Sequence, residues 1–312
     1  MGKLVGARIR QLHDEIVQTI PCEKPKFRAD LAALSIGAVT TVYVNWADRF
    51  IPTRQRRVVY LDGFWASDSA WRMRDAVLDV EQKVASGADL TGHLSSQVDF
   101  KGFAPSRYDG NGLLLNSKWR DKDFALNAYN AHHLHFKERP GRSKELLFAE
   151  FTRDIAVFVM VGDHDSFDGP ELEGRILEAR ARNGHELKGI MAPTSGGYTA
   201  AERNELARAG ISTMAVVDGK VVIAASVSTA GTSDYASMHA SKLLKTLAKW
   251  DEKLDDPKWV EELFGGSDVQ YPAAPKLEWL LNHTSLLLIE RTAKAAFPIV
   301  EGRRGLPAQI QV

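Results

Sequence analysis

Apolar positions in the first twenty residues recur at spacings of three and four. Val5, Ile9, Leu12, Ile16 and Ile20 form one stripe that predicts a helix over 5–20, ended by Pro21. Residues 30–48 combine Ala and Leu with the β-branched run TTVYV, a pattern compatible with a buried helix or a strand and read here as helix. A short apolar strand follows at Val58 to Leu61. Ser67 or Asp68 then caps a helix through Ala85, with Met73, Ala76, Val77, Val80 and Val84 inward and Gly87 as the stop. Asp89 in DLTGHLSS starts a further helical turn.

Phe100 to Gly112 carries Gly102, Pro105, Gly110 and Gly112 in quick succession and marks the end of a helical N-terminal region. Leu113 to Leu115 reads as a short strand or turn, and Asp121 to Asn130 as a short, weak helix. The period then changes to two. HHLHF, Glu145–Thr152 and Ile155–Gly162 are predicted as three antiparallel strands of a meander, joined by a turn with Pro140, Gly141 and Arg142 and by Arg153-Asp154.

Asp168 as N-cap opens a helix through Arg182, with Leu172, Ile176 and Leu177 inward and Asn183-Gly184 closing it. Thr199 and Glu202 fit a capping box for the next helix, stopped by Gly210. Ile211–Val217 and Lys220–Val227, joined by Asp218-Gly219, predict a hairpin with a type I′ turn. A helix reaching Trp250, with Leu244, Leu247 and Trp250 inward, follows STAGTS. Residues 251–275 read as a loop-rich link, Leu277 to Ala296 as an apolar helix interrupted near His283, and GRRGLPAQIQV as a mobile tail. These elements predict an α+β fold: a helical N-terminal region (1–105), a central antiparallel β-meander (106–190) and a C-terminal β-hairpin with helices (191–312), the last two separate or packed as one domain.

Composition narrows the function classes. The 312 residues are 44% hydrophobic and 26% charged, an ordinary globular balance, and 40 Lys and Arg match 40 Asp and Glu, so no protein-wide field draws the chain to nucleic acid or to an anionic membrane. Cys22 stands alone and forms no intramolecular disulfide. The N-terminus lacks the apolar run of a secretory signal, Gly6 spoils the myristoylation pattern begun by Gly2, and no apolar run approaches the ~18–20 residues of a membrane span. A cytoplasmic protein with no membrane association is the expectation.

Candidate chemistry gathers in the meander. His133 and His135 share one face of HHLHF, with His132, Leu134 and Phe136 on the other; Asp163, His164 and Asp165 stand at the end of the third strand. Imidazoles titrating near neutrality, one as base and one as acid, suit cleavage of RNA by its own 2′-hydroxyl, with cations to stabilise the phosphorane. His133, His135 and His164 are therefore the catalytic candidates, Arg142 and Lys144 the phosphate contacts. Arg56 and Arg57, in the run of Arg49, Arg54, Arg56 and Arg57, form either a second phosphate patch or a solvated loop. This reading needs no cofactor. The same His133, His135 and His164 with Asp163 would alternatively hold Zn or Mn in a metal-dependent hydrolase, although no HExxH or paired CxxC spacing accompanies them. STAGTS reads as a plain strand-to-helix turn or an anion site. No GxSxG signals a serine hydrolase. His13, His93, His185, His239 and His283 are isolated in sequence and read as structural.

The helix, the Arg/Lys-rich turn and the three strands HHLHF, RSKELLFAEFTRD and IAVFVMVGDHDSF, over about residues 121–170, resemble the core of RelE-type toxin ribonucleases, in the wider group of barnase and the nuclease colicins. The resemblance implies an endoribonuclease acting on RNA, countered by a neutralising protein. Where those toxins commonly end the third strand with a basic pair and a Thr or Tyr, this chain has Asp163-His164-Asp165, so His164 takes over part of that role. The whole chain also resembles bacterial proteins of the mobile-element type, which implies a toxin or a phage- or plasmid-defence effector, with RNA, a neutralising or effector protein and a homo-oligomer as expected partners. The other reading is a non-enzymatic binding or scaffold protein of such a system, its histidines lining a polar sheet face.

Overall fold

A computed structural model describes residues 4, 6–105, 123–141, 143–167, 169–182, 185–191, 197–228, 232–266 and 269–310. Expectations for Gly110, Gly112, Leu113 to Leu115, Arg142, Asp168, Asn183-Gly184 and the middle of STAGTS lie outside the described residues. In chain order the helices are α1 (Ala7–Thr19), α2 (Phe27–Ala32), α3 (Ile36–Ala47), α4 (Asp68–Arg72), α5 (Arg74–Ser86), α6 (Phe124–Tyr129), α7 (Pro170–Arg182), α8 (Ala200–Arg208), α9 (Asp234–Trp250) and α10 (Pro257–Gly265). The strands are β1 (Arg57–Tyr60), β2 (Ala131–His135), β3 (Leu146–Phe151), β4 (Ile155–Gly162), β5 (Thr213–Val217), β6 (Lys220–Ala225), β7 (Leu277–Asn282), β8 (Ser285–Glu290) and β9 (Ala295–Val300). The fold class is α+β, as the pattern predicts. No helix among the described residues is long and apolar enough to cross a membrane.

The chain divides into two units, each assembled from separated segments. One comprises Met1–Pro52, Asp99–Ala104 and Tyr235–Val312; the other comprises Thr53–Val98 and Pro105–Asp234. Each takes in parts of more than one of the three contiguous segments read from the sequence.

In the first unit α1 buries Ile9, Leu12, Ile16 and Val17, the stripe its spacing predicts. The ambiguous stretch is helical on both sides of a break. Ser35 caps α3 by accepting from the Ala38 N–H at 3.3 Å, and the β-branched Val39, Val42 and Val44 are buried. The link expected at 251–275 contains α10, with Asp256 accepting from the Lys258 N–H at 3.0 Å and Pro257 in the first turn.

The largest correction concerns 277–296, which is a three-stranded antiparallel sheet in the order β7-β8-β9 and not a helix. Leu277, Trp279 and Leu281 are buried and alternate with half-buried Glu278, Leu280 and Asn282. The central strand β8 is buried along its whole length, so its run SLLLIE shows no period, and periodicity cannot separate such a strand from a buried helix. His283, at φ +49, makes the turn where the helix was expected to break. Pro298 sits on β9, an edge strand, where a missing N–H is tolerated. The tail is also anchored, since Leu306 packs on Leu287 and Ile289 and Arg304 is buried.

The second unit is built on a four-stranded sheet, β1-β4-β3-β2. Strands β2, β3 and β4 form the predicted antiparallel meander; β1 adds a fourth strand, parallel to β4. Val77, Val80 and Val84 are the buried residues of α5, while Met73 breaks the expected single helix into α4 and α5. Tyr129, Phe148, Val159 and Met160 meet Leu172 and Ile176 of α7 in one core. Thr199 and Glu202 form the capping box of α8. The hairpin β5–β6 is as predicted, with Asp218 at φ +49 and Gly219 at φ +74 supplying the two left-handed positions of a type I′ turn.

Candidate functional site

Alternation along β2 sends His133 and His135 to one face, where their ring centroids are 6.0 Å apart, and His132 to the other, against Phe151 at 5.4 Å. Across the sheet, His135 pairs with Leu146 and Leu146 with Gly162, so the end of β4 lies level with His135. The chain then turns through residues 164–167 and brings His164 to 5.7 Å from His135. Asp163 shapes this turn by accepting from the Asp165 N–H at 3.0 Å, and Ser166 Oγ accepts from the Asp163 N–H at 3.0 Å. A Cβ at Gly162 would collide with Ser166 Oγ, which explains the glycine at the last strand position.

Phe167 closes the site from the side. Its ring lies 5.0 Å from His133, 6.0 Å from His164 and 5.4 Å from the core residue Phe148. The three histidines that the sequence singles out are therefore brought together in a row, His133 and His135 half-buried and His164 exposed.

Asp123 is the site residue that sequence reasoning missed. Its carboxylate caps α6, accepting from the Leu126 N–H at 3.1 Å, and its other oxygen stands 3.2 Å from His133 Nδ1. The reach follows from simple lengths. Six residues of helix rise ~9 Å, the tight reversal at Asn130 (φ +60) turns the chain back, and three strand residues cover ~10 Å, so the helix start and His133 come level. Burial pulls the His133 pKa down, but the negative charge of Asp123 beside it outweighs this and the net shift is upward. The only sequence signal was an Asp one position ahead of a short helix.

His93 holds the end of the same strand through its backbone. Its Nδ1–H donates to the His135 carbonyl at 2.7 Å, so Nε2 is left to accept from Lys83 Nζ at 3.1 Å. This histidine is structural, as its isolation in sequence suggests.

The cationic candidates fare differently. Lys144 is 80% exposed with Nζ 3.9 Å from Asp163, at the His164 end of the row. Arg142 lies outside the described residues. Arg56 and Arg57 lead into β1, at the opposite edge of the sheet from β2, and are not brought to the histidines. Arg56 is moreover buried, with Nε donating to the Thr152 carbonyl at 2.9 Å and its guanidinium over Phe151, so the solvated-loop reading fails for it; Arg57 is exposed. For the metal alternative, no three His, Cys, Asp or Glu side chains among the described residues converge as a ligand set.

A carboxylate-held imidazole, a second imidazole beside it and a third in solvent together offer proton acceptors and donors graded from interior to surface. A scan against protein-family models and searches of curated proteins and of solved structures find no significant match to this chain.

Proposed function

We propose that the His133–His135–His164 row performs general acid–base chemistry on RNA, and that the protein is a metal-independent, RNase-like toxin or phage- or plasmid-defence effector. The supporting observation is the convergence of these three rings around Phe167, with Asp123 holding the innermost. In this reading His135 and His164 are the exchanging pair, because they stand adjacent where His164 meets solvent. One takes the 2′-hydroxyl proton while the other protonates the departing 5′-oxygen. His133, its charged form favoured by Asp123, supplies positive charge next to the developing phosphorane, and Lys144 contacts phosphate from the rim. The similarity of residues 121–170 to RelE-type toxins points the same way.

The test is incubation of the full chain with total RNA in excess chelator. Wild type cleaves; His164→Ala loses about 10²–10⁴-fold in rate. Its melting temperature stays unchanged, since the side chain is exposed. Cleavage that needs added Zn or Mn, with one metal bound per chain, would replace this reading with the metal-dependent hydrolase. No cleavage under any condition would leave a binding or scaffold role.

A further inference from the structure

The hairpin β5–β6 is apolar on both faces. Ala215, Val222 and Ala224 pack on Leu177 and Ala181 of α7, as one side of a two-stranded ribbon should. On the other side Met214 is 53% exposed and Val216 46%, and Met214 stands opposite Ile223, itself 41% exposed. A strand that is apolar on both faces has the composition of one covered on both faces. Beside it lies a groove of about 1040 Å³ walled by Ile190, Met191, Tyr198, Leu206 and Ile211. Its charged residues are already engaged, Glu202 in the capping box and Arg203 on Glu173, so an ionic ligand finds little to bind.

The backbone edge is equally specific. Val217 and Lys220 flank the two-residue turn as a hydrogen-bonded pair, so the N–H and C=O of Val216 and Met214 point away from β6. On β6 the corresponding outward carbonyl, that of Val221, accepts from the Leu187 N–H at 2.8 Å. That edge is covered. No strand among the described residues pairs with the outer edge of β5.

We propose that β5 is the interface of a two-fold homodimer, in which β5 of one copy pairs antiparallel with β5 of a second. Centred on Ala215, the register sets Met214 against Val216 of the second copy and Val216 against its Met214, two narrow pairs exchanging four backbone hydrogen bonds. Area selects a second copy over a short peptide. Ile190, Met191, Tyr198, Ile211, Met214 and Val216 expose between 46% and 91% of their surfaces. Together this amounts to roughly 700–800 Å² of apolar-residue surface, close to the ~800 Å² that each partner of a standard interface buries. The apolar character is that of homodimer interfaces.

Light scattering after size exclusion, with the full chain from about 1 to 100 µM, reads the outcome as mass. Wild type should approach twice 34.5 kDa. Val216→Pro removes an outward N–H that β6 does not use, and Val216→Asp sets like charges across the two-fold; each should return the monomer mass with unchanged circular dichroism. Should either distort the hairpin, Met214→Lys, altering an exposed side chain alone, serves the same purpose. A wild-type monomer at the highest concentration, or a dimer that survives the folded variants, overturns the proposal.

Discussion

His133 and Asp123 carry the site's most direct consequence at the scale of single residues. Because the net effect of Asp123 is to raise the folded-state pKa of His133, the pair adds stability that is complete below the unfolded histidine pKa of ~6.5 and is lost as pH rises through the raised folded value. Asp123→Asn keeps an N-cap oxygen for Leu126 and removes the charge. The stability difference between wild type and variant should therefore be largest below about pH 6.5, and shrink above the folded pKa. Urea unfolding across pH measures it; wild type and variant of equal stability at every pH would mean that Asp123 acts only as a cap. That His133 and His135 share a face is legible in the sequence because the strand period is two. The meeting of His133 with Asp123 is not, since it depends on the length of α6 matching the distance along β2.

The pairing of α7 with α8 illustrates what element patterns reveal and conceal. Leu172, Ile176 and Leu177 mark the inward face of α7 correctly, but Glu173 shares that face, three and four residues before Ile176 and Leu177, and is 1% exposed. Arg203 of α8 meets it with two of its nitrogens, Nε at 2.7 Å and Nη2 at 2.8 Å. A carboxylate inside an apolar stripe is the sequence trace of such a clamp; its partner, 30 residues on, is invisible to periodicity. Arg203→Ala should cost about 3–5 kcal/mol, because a charged Glu173 is left buried, whereas Glu173→Leu with Arg203→Met should recover most of the loss. Equal destabilisation by the single and double variants would assign the effect to packing. Strands follow the same logic. The meander and hairpin are legible from alternation and turn chemistry, while β8, buried on both faces, presents a featureless apolar run that reads as helix.

At the scale of the whole molecule, the feature that local patterns conceal most is the first unit's dependence on both ends of the chain. Asp48, at the end of α3, is 2% exposed and accepts from Arg303 and Arg304, 255 and 256 residues away; Arg304 Nη1 also donates to the Asp48 carbonyl at 2.8 Å. Burial brings the Arg304 pKa down to about 10 despite the carboxylate, which leaves it cationic at neutral pH. GRRGLPAQIQV reads as a mobile tail because chain termini usually are, yet here Arg303 and Arg304 neutralise a buried aspartate. Deleting residues 302–312 should therefore destabilise the first unit by at least about 3–5 kcal/mol, the charge of Asp48 being left without its cations. Asp48→Asn separates this effect from the lost packing of Leu306. In the full chain the substitution strands a buried Arg304 and destabilises; in the truncated chain it removes the stranded charge, and an unpaired neutral amide costs only about 1–3 kcal/mol. The same substitution should thus change sign between the two backgrounds in urea unfolding followed by tryptophan fluorescence. Destabilisation in both would show that the tail holds the unit through apolar contacts, with the ion pairs contributing little.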